Sequence, residues 1–246
     1  MPRDHDPAAV AVKGHYTPEF LFDGQKLKVS IRGPRTGRLM VTYDFWSRKK
    51  AGFGQISPSS RYADRGFTHL HLSTRANDWF LTRETEAALE AIAAYADGFD
   101  HAATIGFSMG GYGVMLASLA VDFDLAVMVS PHITFSEHQF PHETRFPAKI
   151  GNLGRALKLN ERVVSAPTCR AQAAVIYDSR VARDVYHAET AAGRFAEVEL
   201  VDLEGGGHPA TTALTRAGHF GLVLEAVTGG TLDMGPIRAA HREAAG

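Results

Sequence analysis

The run Gly106-Phe107-Ser108-Met109-Gly110-Gly111 constrains this chain more than any other stretch. Apolar Ala103–Phe107 leads into it with the pattern of a buried strand. Small, apolar Met109–Val121 follows with the pattern of a buried helix. A serine between the two sits on a tight strand-to-helix turn, where the backbone is strained. Bulky neighbours would clash there, and Gly106 and Gly110 make room. The start of the helix adds free N–H groups and the positive end of a dipole beside the hydroxyl. A serine so placed is a candidate nucleophile.

The rest of the chain alternates in period. Leu27, Val29 and Ile31 alternate with polar residues, and Leu39–Tyr43 is a short apolar run. With turn residues at 33–37 between them, they read as an antiparallel hairpin opening a sheet. Further strands are predicted at Phe67–Leu72, Leu125–Val129, Ala173–Tyr177 and Ala196–Val201. Helices are predicted from Glu84 to about Gly98, over Ala182–Ala192 and over Thr211–Val227, the last with Gly218 and Gly221 inside it. Residues 131–168 carry four prolines and three histidines, which marks a cap-like insertion. The ends, 1–15 and 230–246, read as flexible. Alternating strands and helices imply one α/β domain, with a mostly parallel sheet covered on both faces. Ligands in such sheets bind beyond the carboxyl ends of the strands.

A nucleophilic serine needs a base, and the base needs a partner that orients it. His208 follows the last predicted strand through Leu203-Glu204-Gly205-Gly206-Gly207, a loop able to bend the imidazole into a cleft. Asp178 comes immediately after Ala173–Tyr177 and is the preferred acid. Asp184 is its rival, better suited by position to capping the helix it starts.

These residues, in the order Ser108, Asp178, His208, resemble those of the α/β-hydrolase superfamily over about Lys26 to Val227. Asn77-Asp78-Trp79, Ser108-Met109-Gly110-Gly111-Tyr112-Gly113 and Ser130-Pro131 resemble a poorly characterised bacterial branch of it. The resemblance implies serine hydrolase chemistry on ester-like bonds without a cofactor. The His-Gly motif usual after the third strand is replaced by Tyr43-Asp44-Phe45-Trp46. The backbone N–H groups of Met109 and Phe45 are then the oxyanion donors, and Asp44 must be paired or turned away. Trp46, Trp79 and His132 follow strand ends and are candidate substrate contacts. His69 and His71 share a strand face and read as structural, since no carboxylate or cysteine nearby completes a metal site.

Composition narrows the partners. The formal net charge of −1 offers no footprint for nucleic acid or an anionic membrane surface. No apolar run approaches the ~20 residues of a membrane span. One cysteine, Cys169, excludes an internal disulfide, and the N-terminus lacks a signal-peptide core, so a cytoplasmic setting is expected. The expected partner is a small acyl or ester substrate; a homodimer is compatible with the sequence, although no exposed apolar helix is identifiable in it. Two alternatives stand beside hydrolysis: an acyltransferase with the same nucleophile, and a non-catalytic binding protein on the same scaffold.

Overall fold

The computed structural model describes residues 14–133 and 153–245, without the side chains of 153–157 and 245. Its frame is one sheet of eight strands: β1 (Glu19–Asp23), β2 (Leu27–Arg32), β3 (Arg38–Tyr43), β4 (Thr68–Thr74), β5 (His101–Phe107), β6 (Leu125–Val129), β7 (Cys169–Tyr177) and β8 (Phe195–Asp202). They lie in the order β1-β2-β4-β3-β5-β6-β7-β8. From β4 to β8 every pairing is parallel, and β2 runs antiparallel to both β1 and β4. The central strands read as unbroken apolar runs because helices cover both faces. Seven helices are described: α1 (Thr85–Ala96), α2 (Met109–Ala117), α3 (Leu153–Ser165), α4 (Ala182–Ala192), α5 (Thr212–Arg216), α6 (Gly221–Thr228) and α7 (Gly235–Ala245). Buried residues of α1 to α4 form one core with one sheet face, and those of α5 to α7 form a second core with the other. No described helix is long and apolar enough to cross a membrane.

Three sequence expectations change. Leu27–Arg32 and Arg38–Tyr43 do not form a hairpin, because β4 lies between them. The connection at 33–37 steps across the start of β4, tied there by Thr36 N–H to Thr68 Oγ1 (2.8 Å) and Thr68 Oγ1–H to the Pro34 carbonyl (2.8 Å). Five extended residues reach about 16 Å, enough to pass over one strand at a spacing of ~4.8 Å, so alternation alone cannot tell a hairpin from such a step. The opening hairpin is instead β1 with β2.

The helix expected over 211–227 breaks in two at Gly218, which has φ +80. His219 N–H reaches the Leu214 carbonyl (2.8 Å) and Gly218 N–H the Thr215 carbonyl (3.2 Å), a Schellman stop. The tail is also not loose throughout: Met234 just before α7 and Ile237, Ala240 and His241 within it are buried, and Arg238 bonds to Glu199 and to the Leu200 carbonyl. The stripe is only two turns long, and Gly235-Pro236 at its start masks it in the sequence. Of the expected cap, 134–152 lies outside the described residues, as do residues 1–13 of the N-terminal stretch expected to be flexible. Helix α3, within the stretch expected to form the cap, is held to α2 by Tyr112 O–H to Asn160 Oδ1 (3.0 Å).

Candidate active site

Ser108 sits between β5 and α2 with φ 51 and ψ −117, a conformation that L-residues adopt only under constraint. Three hydrogen bonds impose it. Ser108 N–H donates to the Val129 carbonyl at the end of β6 (2.9 Å), and its own carbonyl accepts from Gly111 (2.9 Å) and His132 (3.0 Å). The glycines are required by space. A Cβ on Gly106 would stand 2.0 Å from the Gly110 carbonyl oxygen, and one on Gly111 would stand 2.6 Å from Pro131 Cβ.

The loop after β8 carries His208 back over this turn. Gly205 and Gly207 have φ +78 and +84, so the loop needs glycine at both positions. His208 Nε2 stands 3.2 Å from Ser108 Oγ and His208 Nδ1 3.0 Å from Asp184 Oδ2. A carboxylate can only accept, so Nδ1 carries the proton and Nε2 is left to receive the serine hydroxyl proton.

The carboxylate is thus Asp184, and the preference for Asp178 is corrected. Asp178 faces backbone. Its Oδ1 accepts from Gly205 (2.9 Å) and Arg180 (2.9 Å), and its Oδ2 accepts from Gly207 (2.7 Å). It shapes the loop that carries His208. Burial opposes its ionisation, but these three N–H groups outweigh burial and hold its carboxyl below the usual value. Asp184 lies in the first turn of α4 and is wholly buried. A signal for it was present. Asp184, His187, Ala188 and Ala191 fall at i, i+3, i+4 and i+7, the buried stripe of α4. An aspartate that merely caps a helix faces solvent.

His132 is buried against the other side of the base rather than at a rim. Its ring stacks on His208 with centroids 4.9 Å apart and an interplanar angle of 19°, and its Nδ1 lies 3.5 Å from Ser108 Oγ. His187, which sequence reasoning passed over, lies beside it at 5.2 Å and accepts the Ile133 N–H at Nδ1. Trp79 is fully buried, and its indole N–H donates to the His132 carbonyl (3.2 Å). The Asn77-Asp78-Trp79 motif therefore ties loops together. Asn77 bonds Ser47 at both N–H (3.1 Å) and carbonyl (2.8 Å), and Asp78 accepts from Thr74 and Phe80. Trp46 is half-buried and packs against the α1–α4 core.

Met109 opens α2, so its N–H has no carbonyl one turn back to bond. The end of β3 lies against the same turn: the Asp44 carbonyl is 3.1 Å from where a Gly110 Cβ would be. Phe45 follows directly, with its side chain exposed. The Asp44 carboxylate is paired with Lys50 (2.6 Å) and His71 (3.2 Å), and accepts the Thr74 N–H (3.0 Å). Burial opposes its charge, but His71 and Lys50 win and hold its carboxyl below the usual value. Its charge is spent before it can oppose an oxyanion. His69 and His71 extend this pairing inward. His71 Nδ1 and His69 Nε2 both meet Thr42 Oγ1 (2.7 Å each), and His69 Nδ1 meets Ser60 Oγ (2.7 Å). Burial pushes the His69 imidazole well below its ordinary value, towards the neutral form.

Ligand atoms of His132, Asp184 and His208 lie within 4.8 Å of one another. Both ring nitrogens of His208 are already engaged, Nδ1 by Asp184 and Nε2 by Ser108, so an ion held by His208 would displace one of these two hydrogen bonds.

Neither a protein-family model nor a curated protein sequence matches the chain. Solved structures do. A mutant of the capsule O-acetyltransferase of Neisseria meningitidis serogroup A, in complex with CoA, superposes with TM-score 0.58 at 12% identity, over 82% of this chain and 93% of that one. Est1E from Butyrivibrio proteoclasticus gives 0.54 at 15%, over 85% and 98%. The acylaminoacyl peptidase of Pyrococcus horikoshii gives 0.55 at 13%, over 87% of this chain but 42% of its own. The chain has the α/β-hydrolase fold. At these identities the likeness reaches no further than the fold. Within that fold Ser108, Asp184 and His208 follow three different parallel strands, β5, β7 and β8, on the side where the loops beyond their carboxyl ends gather.

Proposed function

We propose that the protein is a serine hydrolase that cleaves an ester-type bond, in a carboxylic ester, thioester or acylated sugar. The observation that carries this reading is the unbroken line Asp184 Oδ2–His208 Nδ1, His208 Nε2–Ser108 Oγ, ending on a serine in strained backbone. Ser108 Oγ attacks the acyl carbonyl as His208 Nε2 takes its proton. Asp184 fixes the tautomer and stabilises the imidazolium that forms. The N–H groups of Met109 and Phe45 receive the oxyanion. The C–O or C–S bond breaks, and the proton on Nε2 passes to the leaving oxygen or sulfur. Water, deprotonated by His208, then hydrolyses the acyl-enzyme and frees Ser108. No cofactor is called for, and the lone, buried Cys169 fits a cytoplasmic setting.

A screen of short-chain nitrophenyl esters and acetylated sugars tests the reading. Turnover is expected on some of them, falling by about 10⁴-fold or more in Ser108→Ala. An Ala variant with full turnover removes Ser108 from the chemistry.

A second reading, acyl transfer to an alcohol or sugar, is favoured by His132. Its Nδ1 beside Ser108 Oγ offers a second hydrogen-bonding nitrogen where an acceptor hydroxyl would be held. A capsule O-acetyltransferase shares the fold. Product analysis with and without a sugar acceptor separates transfer from hydrolysis.

A further inference from the structure

Away from the nucleophile, a cavity of about 540 Å³ opens on the α6 side of the sheet, lined in part by Arg32, Ser57, Ser59, Arg61, His69 and Leu224. His69 is level with Met40, which is level with Ala103, the third residue of β5. Ser108 follows the last residue of that strand, roughly 16 Å further along the sheet. The cavity is thus a different place from the candidate active site.

Its chemistry is unbalanced. Arg32 is 8% exposed, and a charge so enclosed needs a partner. One end of its guanidinium donates to the carbonyls of Ser57 (3.3 Å) and Ser59 (3.4 Å), neutral acceptors that hold the loop. Its Nε–H is buried with no acceptor, and among the described residues no carboxylate pairs with it. The one acid at the cavity, Asp64, is turned to Gly14 N–H (2.9 Å) and the Tyr16 hydroxyl (3.3 Å). His69 carries no compensating charge, being neutral and occupied at both nitrogens. Arg61 adds a second guanidinium at the mouth, exposed and without an ion pair among the described residues. Two arginines and the serine hydroxyls give the cavity an excess of donors over its one carboxylate, Asp64, which is engaged by Gly14 and Tyr16.

We propose that this cavity is an anion site that takes the phosphate group of a small molecule, with the Arg32 and Arg61 guanidinium groups as its charged donors. The volume exceeds that of a bare phosphate, leaving space for the group that carries it.

Inorganic phosphate is the probe. Titration at constant ionic strength, with chloride as the balancing anion, is followed by calorimetry and thermal melting. Saturable binding with Kd of about 1 mM and a rise in Tm of about 3 °C near saturation is expected for the wild type. Arg61→Gln and Arg32→Gln are each expected to weaken binding about tenfold or more. Ser108→Ala is expected to leave it unchanged, which separates this cavity from phosphate held beside the nucleophile. Should Arg32→Gln fail to fold, Arg61→Gln decides alone, because Arg61 is exposed. Absence of saturable binding up to about 10 mM, or equal binding by wild type and Arg61→Gln, overturns the proposal. So does loss of binding in Ser108→Ala with Arg61→Gln unaffected.

Discussion

Asp178 and Asp184 stand at either end of the turn that joins β7 to α4, both nearly closed to solvent, and their carboxylates meet different partners. Asp178 receives three backbone N–H groups and shapes the loop that carries His208. Asp184 receives the imidazole itself. One aspartate builds the support and the other orients the base. The strand end is the better-advertised position for an acid, yet a carboxylate there is within reach of the neighbouring loop's backbone and is consumed by it. The first turn of α4 lies one step further along and can reach the ring.

The comparison is sharpest in the pair of asparagine variants. Asp184→Asn is expected to lower kcat by about 10³- to 10⁴-fold, since an amide can stabilise the wrong imidazole tautomer. Its melting temperature is expected to stay within a few degrees of wild type. Steady-state kinetics with any accepted ester checks this. Equal turnover in the variant would place the acid elsewhere.

Asp178→Asn is expected to act the other way. Removing the charge that three N–H groups solvate costs about 2 kcal/mol of stability. Well below its melting temperature, kcat is expected within about tenfold of wild type, since His208 keeps Asp184. Denaturant melts measure the first quantity and kinetics the second.

The smallest effect is the pH dependence of the same carboxyl. Its folded-state value is depressed, so its stabilisation is complete above the unfolded aspartate value, near about 4. That stabilisation is lost as pH falls through the lower folded value. Wild type is therefore expected to lose stability between about pH 5 and pH 3 more steeply than Asp178→Asn. Asp44, depressed by His71 and Lys50, adds to the slope in both proteins. Parallel slopes would mean that the three backbone bonds do not stabilise the charged form.

How legible this was in the sequence follows the same physics. The elbow at Ser108 could be read directly from Gly106, where close packing leaves no room for a Cβ; the second tight position is Gly111 rather than the expected Gly110. His208 could be read from its glycines, two of which take positive φ. Strand and helix positions were legible where the apolar period was long, as in β5, β6 and α4. The order of β2, β3 and β4 was not, because alternation records burial and not the identity of the neighbouring strand. Helix α7 was hidden by a short stripe beside glycine and proline. The role of Asp184 was present in the period of α4 but was outweighed by strand-end placement. The stacking of His132 on His208 depends on where two distant loops meet, and no local pattern encodes that.

The most direct test of the site is intact mass after treatment with a fluorophosphonate, on wild type, Ser108→Ala, Asp184→Asn and Asp178→Asn. One adduct on wild type, none on Ser108→Ala, strongly slowed labelling of Asp184→Asn and near wild-type labelling of Asp178→Asn is the expected result. An unlabelled wild type, an adduct that persists in Ser108→Ala, or a reversed order of the two asparagine variants would contradict it.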